Sequence, residues 1–339
     1  MSLAPSTDAD TDDLRDVAAR LLDDAVYAVE RVGGGGNNRI YQVEDLGGRR
    51  YALKEYLNDR IDERDRLGAE FGGLRFLWLQ GVRDVPRRVA VDRDRSVALY
   101  EWVDGRPVST PGAGDVDAAL DFMARLKALA TVTGAERLPL ASEACLSVGD
   151  CLRQIDRRRQ RLEAVDDKRV RQFLAGGFDA ALIGATPNDV DLEAELAFAQ
   201  RTLSPSDFGL HNALRTADGR LVFLDFEYFG WDDPAKLVSD FLLHPGMALS
   251  GDLKRRFHRG AVEIFAGDPA FEQRLRQVYP LFALRWCLIL LNEFLPERWA
   301  RRAFAGKAGR AAALDRQLAK AEAMLASARR QNGGLPNDA

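Results

Sequence analysis

Three side chains suited to phosphate or metal chemistry lie in one stretch of the sequence, 203–227. Asp207 and Asn212 are five positions apart in a predicted loop, and Asp225 ends the returning strand of a predicted hairpin. Because a tight hairpin brings its two ends together, we expect Asn212 and Asp225 to lie side by side. Two oxygen ligands at adjacent strand ends, completed by phosphate oxygens and water, suit Mg²⁺. Asp207 is then a third polar group nearby, with a separate role.

A second group of candidate residues lies earlier in the chain. The segment 33–38 is glycine-rich, and glycine lets backbone N–H groups approach phosphate oxygens closely. Ala52 and Lys54 share one face of a predicted strand, where a small residue beside a lysine suits an adenine ring with phosphates beyond it. Glu70 borders the apolar stripe of the next helix and needs a cationic partner, for which Lys54 is the candidate. Taken singly, these features also fit a loose hairpin, a surface lysine and a solvated glutamate.

The elements that would position these residues form a strand-rich part followed by a helical part. Alternating apolar and polar residues predict strands at 26–32, 39–44, 49–57, 88–91 and 96–102. Apolar residues at helical spacing predict one main helix among them, over 62–80. Helices are further predicted at 12–23, with Thr11 as N-cap, and at 115–131, 149–164, 167–175, 191–201 and from 234 to 328. Asp218-Gly219 between apolar runs predicts the hairpin of 212–226.

The chain length and the change from strand-rich to helix-rich patterns predict more than one lobe. A chain of 339 residues exceeds the usual limit for a single core. We expect an N-terminal extension at 1–24, a strand-rich lobe at 25–105 that binds a nucleotide, a helical lobe at 106–330 with the hairpin and the acceptor site, and a disordered tail at 331–339. The predicted class is therefore α+β.

The composition excludes several classes of function. With 48 basic and 52 acidic residues, the net charge of −4 gives no electrostatic case for nucleic-acid binding. Three scattered cysteines and a polar, acidic N-terminus predict a reduced cytoplasmic protein without a signal peptide. The apolar stretch 279–295 is interrupted by Arg285 and is short for a membrane span, so we interpret it as a buried helix. An apolar stripe on the last helix favours packing within the chain, with a homodimer as the alternative to a monomer.

The hairpin region resembles a known family. The Asp207-x4-Asn212 pair, followed by Asp225-aromatic-Glu227, is similar to the aminoglycoside phosphotransferase and choline kinase superfamily, which is related to the eukaryotic protein kinases. The motif order also fits, and the resemblance covers residues 25–300. It implies a protein-kinase-like two-lobe fold, with a small antiparallel N-terminal β lobe and a larger, mainly helical C-terminal lobe. It also implies an ATP- and Mg²⁺-dependent phosphotransferase that acts on a hydroxyl group of a small molecule.

The resemblance assigns roles to individual residues. Asn212 and Asp225 would bind Mg²⁺, and Asp207 would orient the acceptor hydroxyl and take its proton. The nucleotide would be bound by Gly34, Gly35, Asn37, Ala52, Lys54, Glu70 and the backbone of Glu101 and Val103. One departure is Pro205, which stands where the family usually has a histidine that supports the catalytic loop. Proline could supply stiffness instead, because its ring fixes φ.

The acceptor is less well defined by the sequence. Glu227, Asp232 and Asp233, together with Asp240, would give the acceptor side an acidic rim, which favours an acceptor with an amine or several hydroxyls, such as an amino sugar, an amino alcohol or a sugar. We expect a structural hydrogen-bonding role for His211, with substrate contact as the alternative. The short interval from Asp225 to Asp240 argues against a regulated protein kinase. The competing class is a non-catalytic nucleotide-binding protein or scaffold on the same fold.

Overall fold

The computed structural model describes residues 8–32, 38–56, 64–247, 249–296, 309–330 and 334–336. The predicted glycine loop, with Gly34, Gly35 and Asn37, lies outside the described residues. By its internal contacts the chain divides into two units. The first unit contains the described residues up to Val108 together with Asn212–Phe229, and the second contains Ser109–His211 and the described residues from Gly230 onward. The lobe boundaries given above stay a prediction.

A five-stranded antiparallel sheet forms most of the first unit, and its strand order is β1-β2-β3-β5-β4. The strands are β1 (Val26–Val32), β2 (Asn38–Asp45), β3 (Arg50–Tyr56), β4 (Arg88–Asp92) and β5 (Val97–Glu101). One helix precedes the sheet, α1 (Asp8–Leu22), and a second joins β3 to β4, α2 (Arg66–Leu79). All five predicted strands and the main helix are confirmed, each within a few residues of its predicted bounds.

The two faces of β3 differ as the alternation predicts. Leu53 is fully buried in a core shared with Val43 and with Leu14 and Val17 of α1. Ala52 and Lys54 point to the opposite face, since side chains alternate along a strand. Helix α1 begins at Asp8, so the prediction of Thr11 as its N-cap is wrong.

A smaller sheet completes the first unit. It contains β6 (Arg106–Pro107), β8 (Ala213–Arg215) and β9 (Leu221–Phe223), with β8 and β9 joined by the predicted turn at Asp218-Gly219. The N–H of Phe223 donates to the carbonyl of Asp84 at 2.8 Å, which ties the hairpin to the chain between α2 and β4. The hairpin is therefore an integral part of the unit that carries Lys54.

The second unit is mainly helical. Its helices are α3 (Ala113–Leu129), α4 (Val148–Glu163), α5 (Lys168–Phe173), α6 (Asp179–Ala185), α7 (Pro234–Leu243), α8 (Gly251–Ile264), α9 (Phe271–Leu290) and α10 (Arg310–Ala328). A two-stranded sheet joins β7 (Thr202–Ser204) to β10 (Gly230–Asp232). The helix predicted for 191–201 is wrong, because this segment forms turns and one short 3₁₀ helix at Phe198–Gln200.

Helix α9 forms the centre of the second unit, with α4, α7 and α10 packed against it. The apolar stripe on α10 buries Leu314 and Leu325, as predicted for packing within the chain. Within the described ranges, no helix combines the length and apolar character that a bilayer crossing requires.

Candidate active site

Lys54 is the centre of a buried charge cluster in the first unit. Its Nζ lies 2.6 Å from Oε2 of Glu70, 2.7 Å from Oδ1 of Asp225 and 3.7 Å from Oε2 of Glu227. Burial alone would lower the pKa of this ammonium, but the carboxylates of Asp225, Glu70 and Glu227 outweigh it and raise the pKa well above the ordinary value. The predicted pairing of Lys54 with Glu70 is present, and the lysine is held as a cation.

Glu70 is fixed from several sides. The hydroxyl of Tyr56 donates to its Oε2, and the N–H of Phe226 donates to its Oε1 at 3.3 Å. Its position depends on Gly73, one turn further along α2, because a β-carbon there would lie 2.5 Å from the ring of Phe229. The mid-helix glycine that weakens helix propensity therefore allows α2 to approach the chain that follows the hairpin.

Asn212 pairs through its backbone with Leu224, the residue before Asp225, because its carbonyl accepts the N–H of Leu224 at 2.7 Å. The backbone of Asp225 is left-handed, with φ +65°, a conformation that disfavours residues other than glycine. Loss of water, with a smaller effect of Glu227 and Glu70 in the same direction, raises the pKa of its carboxyl to about 7 against the opposing effect of Lys54. Its side chain still reaches solvent, with 35% of its surface exposed.

Glu227 belongs to the same cluster. It is 1% exposed, and the side-chain amide of Asn38 donates to its Oε2. Carboxylate oxygens of Glu70, Asp225 and Glu227 lie within 4.8 Å of one another, so three carboxylates share one lysine and the more distant Arg66. A set of oxygen donors with excess negative charge fits a hard divalent cation such as Mg²⁺.

The remaining nucleotide-binding candidates lie on the sheet. Ala52 is on β3 on the same face as Lys54, and Glu101 is the last residue of β5. Glu101 donates its N–H to the carbonyl of Arg87 at 2.8 Å, so that donor is used within the sheet. Val103 follows in the segment between β5 and β6.

The loop that carries Asp207 lies in the second unit and is held by a buried lysine. Lys236 of α7 is 0% exposed, and its Nζ donates to Oγ of Ser206 at 3.2 Å. That hydroxyl donates in turn to the carbonyl of Ser142 at 3.2 Å. Ser206 has a left-handed backbone, with φ +67°, directly after Pro205. The loop is therefore supported from α7 and not by a histidine at position 205.

Two histidines adjoin Asp207. Nε2 of His211 lies 3.1 Å from Oδ1 of Asp207, and Nε2 of His244 lies 3.6 Å from the same oxygen. The structural hydrogen-bonding role expected for His211 is therefore present. His244 was missed by the sequence analysis, because it stands at the end of α7 and only the tertiary fold brings it to the loop.

The carboxylates predicted for an acidic rim are buried in the described structure. Asp232 lies 2.9 Å from Nζ of Lys236, and Asp233 caps α7 and pairs with Arg274 at 3.1 Å. Asp240 pairs with both Lys236 and Arg285, at 3.1 Å each. Burial raises the pKa of Asp232 and of Asp233, and their cationic partners oppose this rise. Carboxylates that are buried and paired argue against an acidic rim, and Glu227 belongs to the Lys54 cluster instead.

The chain has the fold of several solved structures that are named as choline kinases or antibiotic phosphotransferases. The chain is similar to the choline kinase LicA from Streptococcus pneumoniae, with 15% identity, a TM-score of 0.59 and coverage of 93% of this chain and 98% of that one. It is also similar to the aminoglycoside phosphotransferase APH(4)-Ia in complex with ADP and hygromycin B, with 18% identity, a TM-score of 0.59 and coverage of 94% and 99%. The spectinomycin phosphotransferase APH(9)-Ia, in complex with ADP and spectinomycin, has 9% identity, a TM-score of 0.62 and coverage of 92% and 98%. The predicted α+β, protein-kinase-like fold is confirmed.

The sequence itself matches the model of the phosphotransferase enzyme family over residues 28–263. The chain belongs to this family, which confirms the resemblance drawn from the Asp207, Asn212 and Asp225 motifs. No curated protein matched the sequence.

Proposed function

We propose that this protein is an ATP- and Mg²⁺-dependent kinase that transfers the γ-phosphoryl group of ATP to a hydroxyl of a small molecule. The observation that carries the proposal is the buried arrangement of Lys54 with Glu70 and Asp225. A lysine held as a cation beside an oxygen-donor cluster suits the polyphosphate of a nucleotide, because phosphoryl transfer needs positioning and charge neutralisation.

Each residue has a role in this proposal. Lys54 contacts the α- and β-phosphates and is oriented by Glu70. Asp225 and Asn212 hold Mg²⁺, and bound Mg²⁺ supplies charge neutralisation to the phosphates. Asp207 accepts the proton of the acceptor hydroxyl. At the same time the hydroxyl oxygen forms a bond to the γ-phosphorus, and the bond between that phosphorus and the ADP oxygen breaks.

The acceptor is proposed only as a class. The structures with this fold include proteins that bind hygromycin B and spectinomycin and a choline kinase. Amino sugars, amino alcohols and sugars are therefore the first compounds to test. The burial of Asp232 and Asp233 means that selectivity for amines does not follow from them.

The test is ATP consumption with Mg²⁺ and a panel of these acceptors, comparing the wild type with Asp207→Ala. We expect turnover to fall by about 10²–10⁴-fold, because general-base and positioning roles have effects of this size. The affinity for a non-hydrolysable ATP analogue, measured by calorimetry, should stay within about threefold. Asp218→Ala, on the exposed hairpin turn, is the control and should behave as the wild type.

Two outcomes would contradict the proposal. Full turnover in Asp207→Ala would remove this residue as the base. Nucleotide binding without turnover of any acceptor would favour the competing class, a non-catalytic nucleotide-binding protein, for which Pro205 in place of the family histidine is the supporting observation.

A further inference from the structure

The two histidines beside Asp207 form an ordered pair. Their rings stack face to face, with centroids 3.6 Å apart and planes 9° from parallel. The edge of Trp286 meets the ring of His244 at 4.9 Å and 89°, and Nε1 of Trp286 donates to Oδ1 of Asp240 at 2.7 Å. The pair is thus joined through Trp286 to the buried charges of α7 and α9.

Two glycines lie tightly against the stacked rings. A β-carbon at Gly209 would lie 2.7 Å from Nδ1 of His211, and one at Gly246 would lie 2.8 Å from Cε1 of His244. Both distances are far inside ordinary van der Waals contact. The main chain at these two glycines therefore lies against both rings and restricts their rotamers.

The hydrogen bonds determine which ring nitrogens carry hydrogen. The N–H of Gly246 donates to Nδ1 of His244 at 3.1 Å, so the hydrogen of the neutral ring is on Nε2, the atom that faces Asp207. An ionised carboxylate only accepts, so Nε2 of His211 also carries hydrogen where it meets Oδ1 of Asp207. The N–H of His211 thus donates to Oδ1 of Asp207, whereas Nε2 of His244 lies 3.6 Å from that oxygen, beyond hydrogen-bond distance, and His244 contacts His211 through its stacked ring.

The same three residues are close enough to be considered as a metal site, with donor atoms within 4.8 Å of one another. The ring geometry argues against it. A metal lies near the plane of each imidazole that ligates it, and two rings stacked with centroids 3.6 Å apart and planes 9° from parallel do not point two ring nitrogens at one position. The Nε2 of His244 also carries hydrogen while Gly246 donates to Nδ1, so it offers no lone pair to a metal.

We propose that His211 and His244 are positioning residues: His211 holds the carboxylate of Asp207 in one orientation for proton transfer through its hydrogen bond, and His244 holds the ring of His211 by stacking on it. This inference rests on the proposed function. The stacked pair, together with Lys236, which binds Ser206, supports the catalytic loop in place of the histidine that the family usually has at position 205. A small rotation of the base would matter, because displacements of about 1 Å can reduce rates about 10²-fold.

The kinetic test compares His211→Phe, which keeps a ring against His244 and loses the N–H donor, with His211→Gln, whose amide can occupy the place of Nε2–H. We expect His211→Phe to lower kcat about 10–100-fold with the KM for ATP within about threefold of wild type. His211→Gln should recover most of kcat. Equal loss in both variants at unchanged melting temperature, or wild-type kcat in His211→Phe, would overturn the proposal.

The second test does not depend on catalysis. The chain has three histidines, so nitrogen NMR of the ¹⁵N-histidine-labelled protein can assign each ring. We expect the Nε2–H tautomer for His211 and His244, and an Nδ1–H tautomer of His211 would overturn the proposal. A Zn²⁺ titration that shifts both rings together would establish a metal site in its place. If no acceptor is turned over, these spectra still show how the two histidines are arranged. Failure of the positioning proposal is therefore distinguishable from failure of the proposed function.

Discussion

At the scale of single residues, the protonation of Asp225 should govern metal affinity. Its pKa is raised to about 7 by partial loss of water and by the neighbouring carboxylates of Glu227 and Glu70, and Mg²⁺ binds the ionised carboxylate. The ionised fraction rises about tenfold between pH 6 and pH 8, so we expect the affinity for Mg²⁺ to rise by about the same factor and then level off. Calorimetric titration of the nucleotide-free protein at pH 6, 7 and 8 measures this, and a dissociation constant that does not change with pH would contradict it.

Lys54 should matter for stability as well as for binding. Lys54→Met leaves the buried carboxylates of Glu70 and Glu227 and the partly buried carboxylate of Asp225 without the lysine between them, and removal of one partner from a buried ion pair costs about 3–5 kcal/mol. Without the lysine its opposing effect is lost, so the folded-state pKa of Asp225, already about 7, stays above the unfolded value. The variant is then relatively stable at low pH and loses stability as pH rises from about 5 to 8.

Urea unfolding of Lys54→Met at pH 5.5 and pH 8 tests this prediction. The control is Arg50→Met on the same strand, which removes a pair with Asp104 that is 39% and 70% exposed. An exposed pair contributes about 0–1 kcal/mol, so the control should change little. Equal losses in the two variants, or a Lys54→Met loss that does not grow with pH, would argue against a buried cation at the centre of the cluster.

Some residue contacts followed from the sequence and others did not. The pairing of Lys54 with Glu70 was predictable, because a carboxylate on the border of an apolar stripe requires a cation. The contacts of His244 and Lys236 with the Asp207 loop were not, because only the packing of α7 beside that loop creates them. Glu227 was assigned to the acceptor side because spacing alone does not show which way its side chain points.

At the scale of elements, α2 contains two adjacent glycines with opposite surroundings. A β-carbon at Gly73 would lie 2.5 Å from the ring of Phe229, whereas nothing lies within 4 Å of one at Gly72. We expect Gly73→Ala to lose about 1–3 kcal/mol of stability through overpacking. Gly72→Ala should gain up to about 1 kcal/mol through helix propensity. Thermal unfolding of both variants measures the difference, and a stabilising Gly73→Ala would contradict the close approach of helix and hairpin.

Hydrophobic periodicity predicted most elements because it reflects burial, which the sequence encodes directly. The helix that periodicity predicted for 191–201 was wrong, because polar groups of this segment bond to a local turn and to α4. The N–H of Glu193 donates to Oδ1 of Asp191 in a local turn, and the carboxylate of Glu193 pairs with Arg153 of α4 at 2.7 Å. Side-chain bonds of this kind compete with helical hydrogen bonds, and periodicity does not detect them.

At the scale of the whole molecule, the first unit is discontinuous in sequence, and this predicts how fragments behave. Residues 1–108 alone lack the hairpin, and with it the strand β8 that pairs with β6 and the carboxylates of Asp225 and Glu227 beside Lys54. We expect this fragment to unfold without a cooperative transition. Addition of residues 212–229 through a flexible glycine-serine linker should restore one, because the missing contacts return. Circular dichroism during urea unfolding compares the two, and a cooperative 1–108 fragment would contradict the prediction.

The fold class was predictable from the order of strands, helices and motifs, since each local pattern agrees with the same architecture. The membership of the hairpin in the first unit was not predictable. In the sequence, residues 212–229 lie between two segments of the second unit. Their contacts with the first unit, such as that of Phe223 with Asp84, arise only in the folded protein.

The left-handed backbone of Asp225 has a consequence for protein engineering. Glycine adopts this conformation without the steric penalty of about 1–2 kcal/mol that other residues carry. Directed evolution for heat resistance alone would therefore tend to replace this aspartate and discard the proposed metal ligand. Thermostable libraries of this enzyme should accordingly be sorted by activity as well as by survival, since robustness and activity make opposite demands on this position.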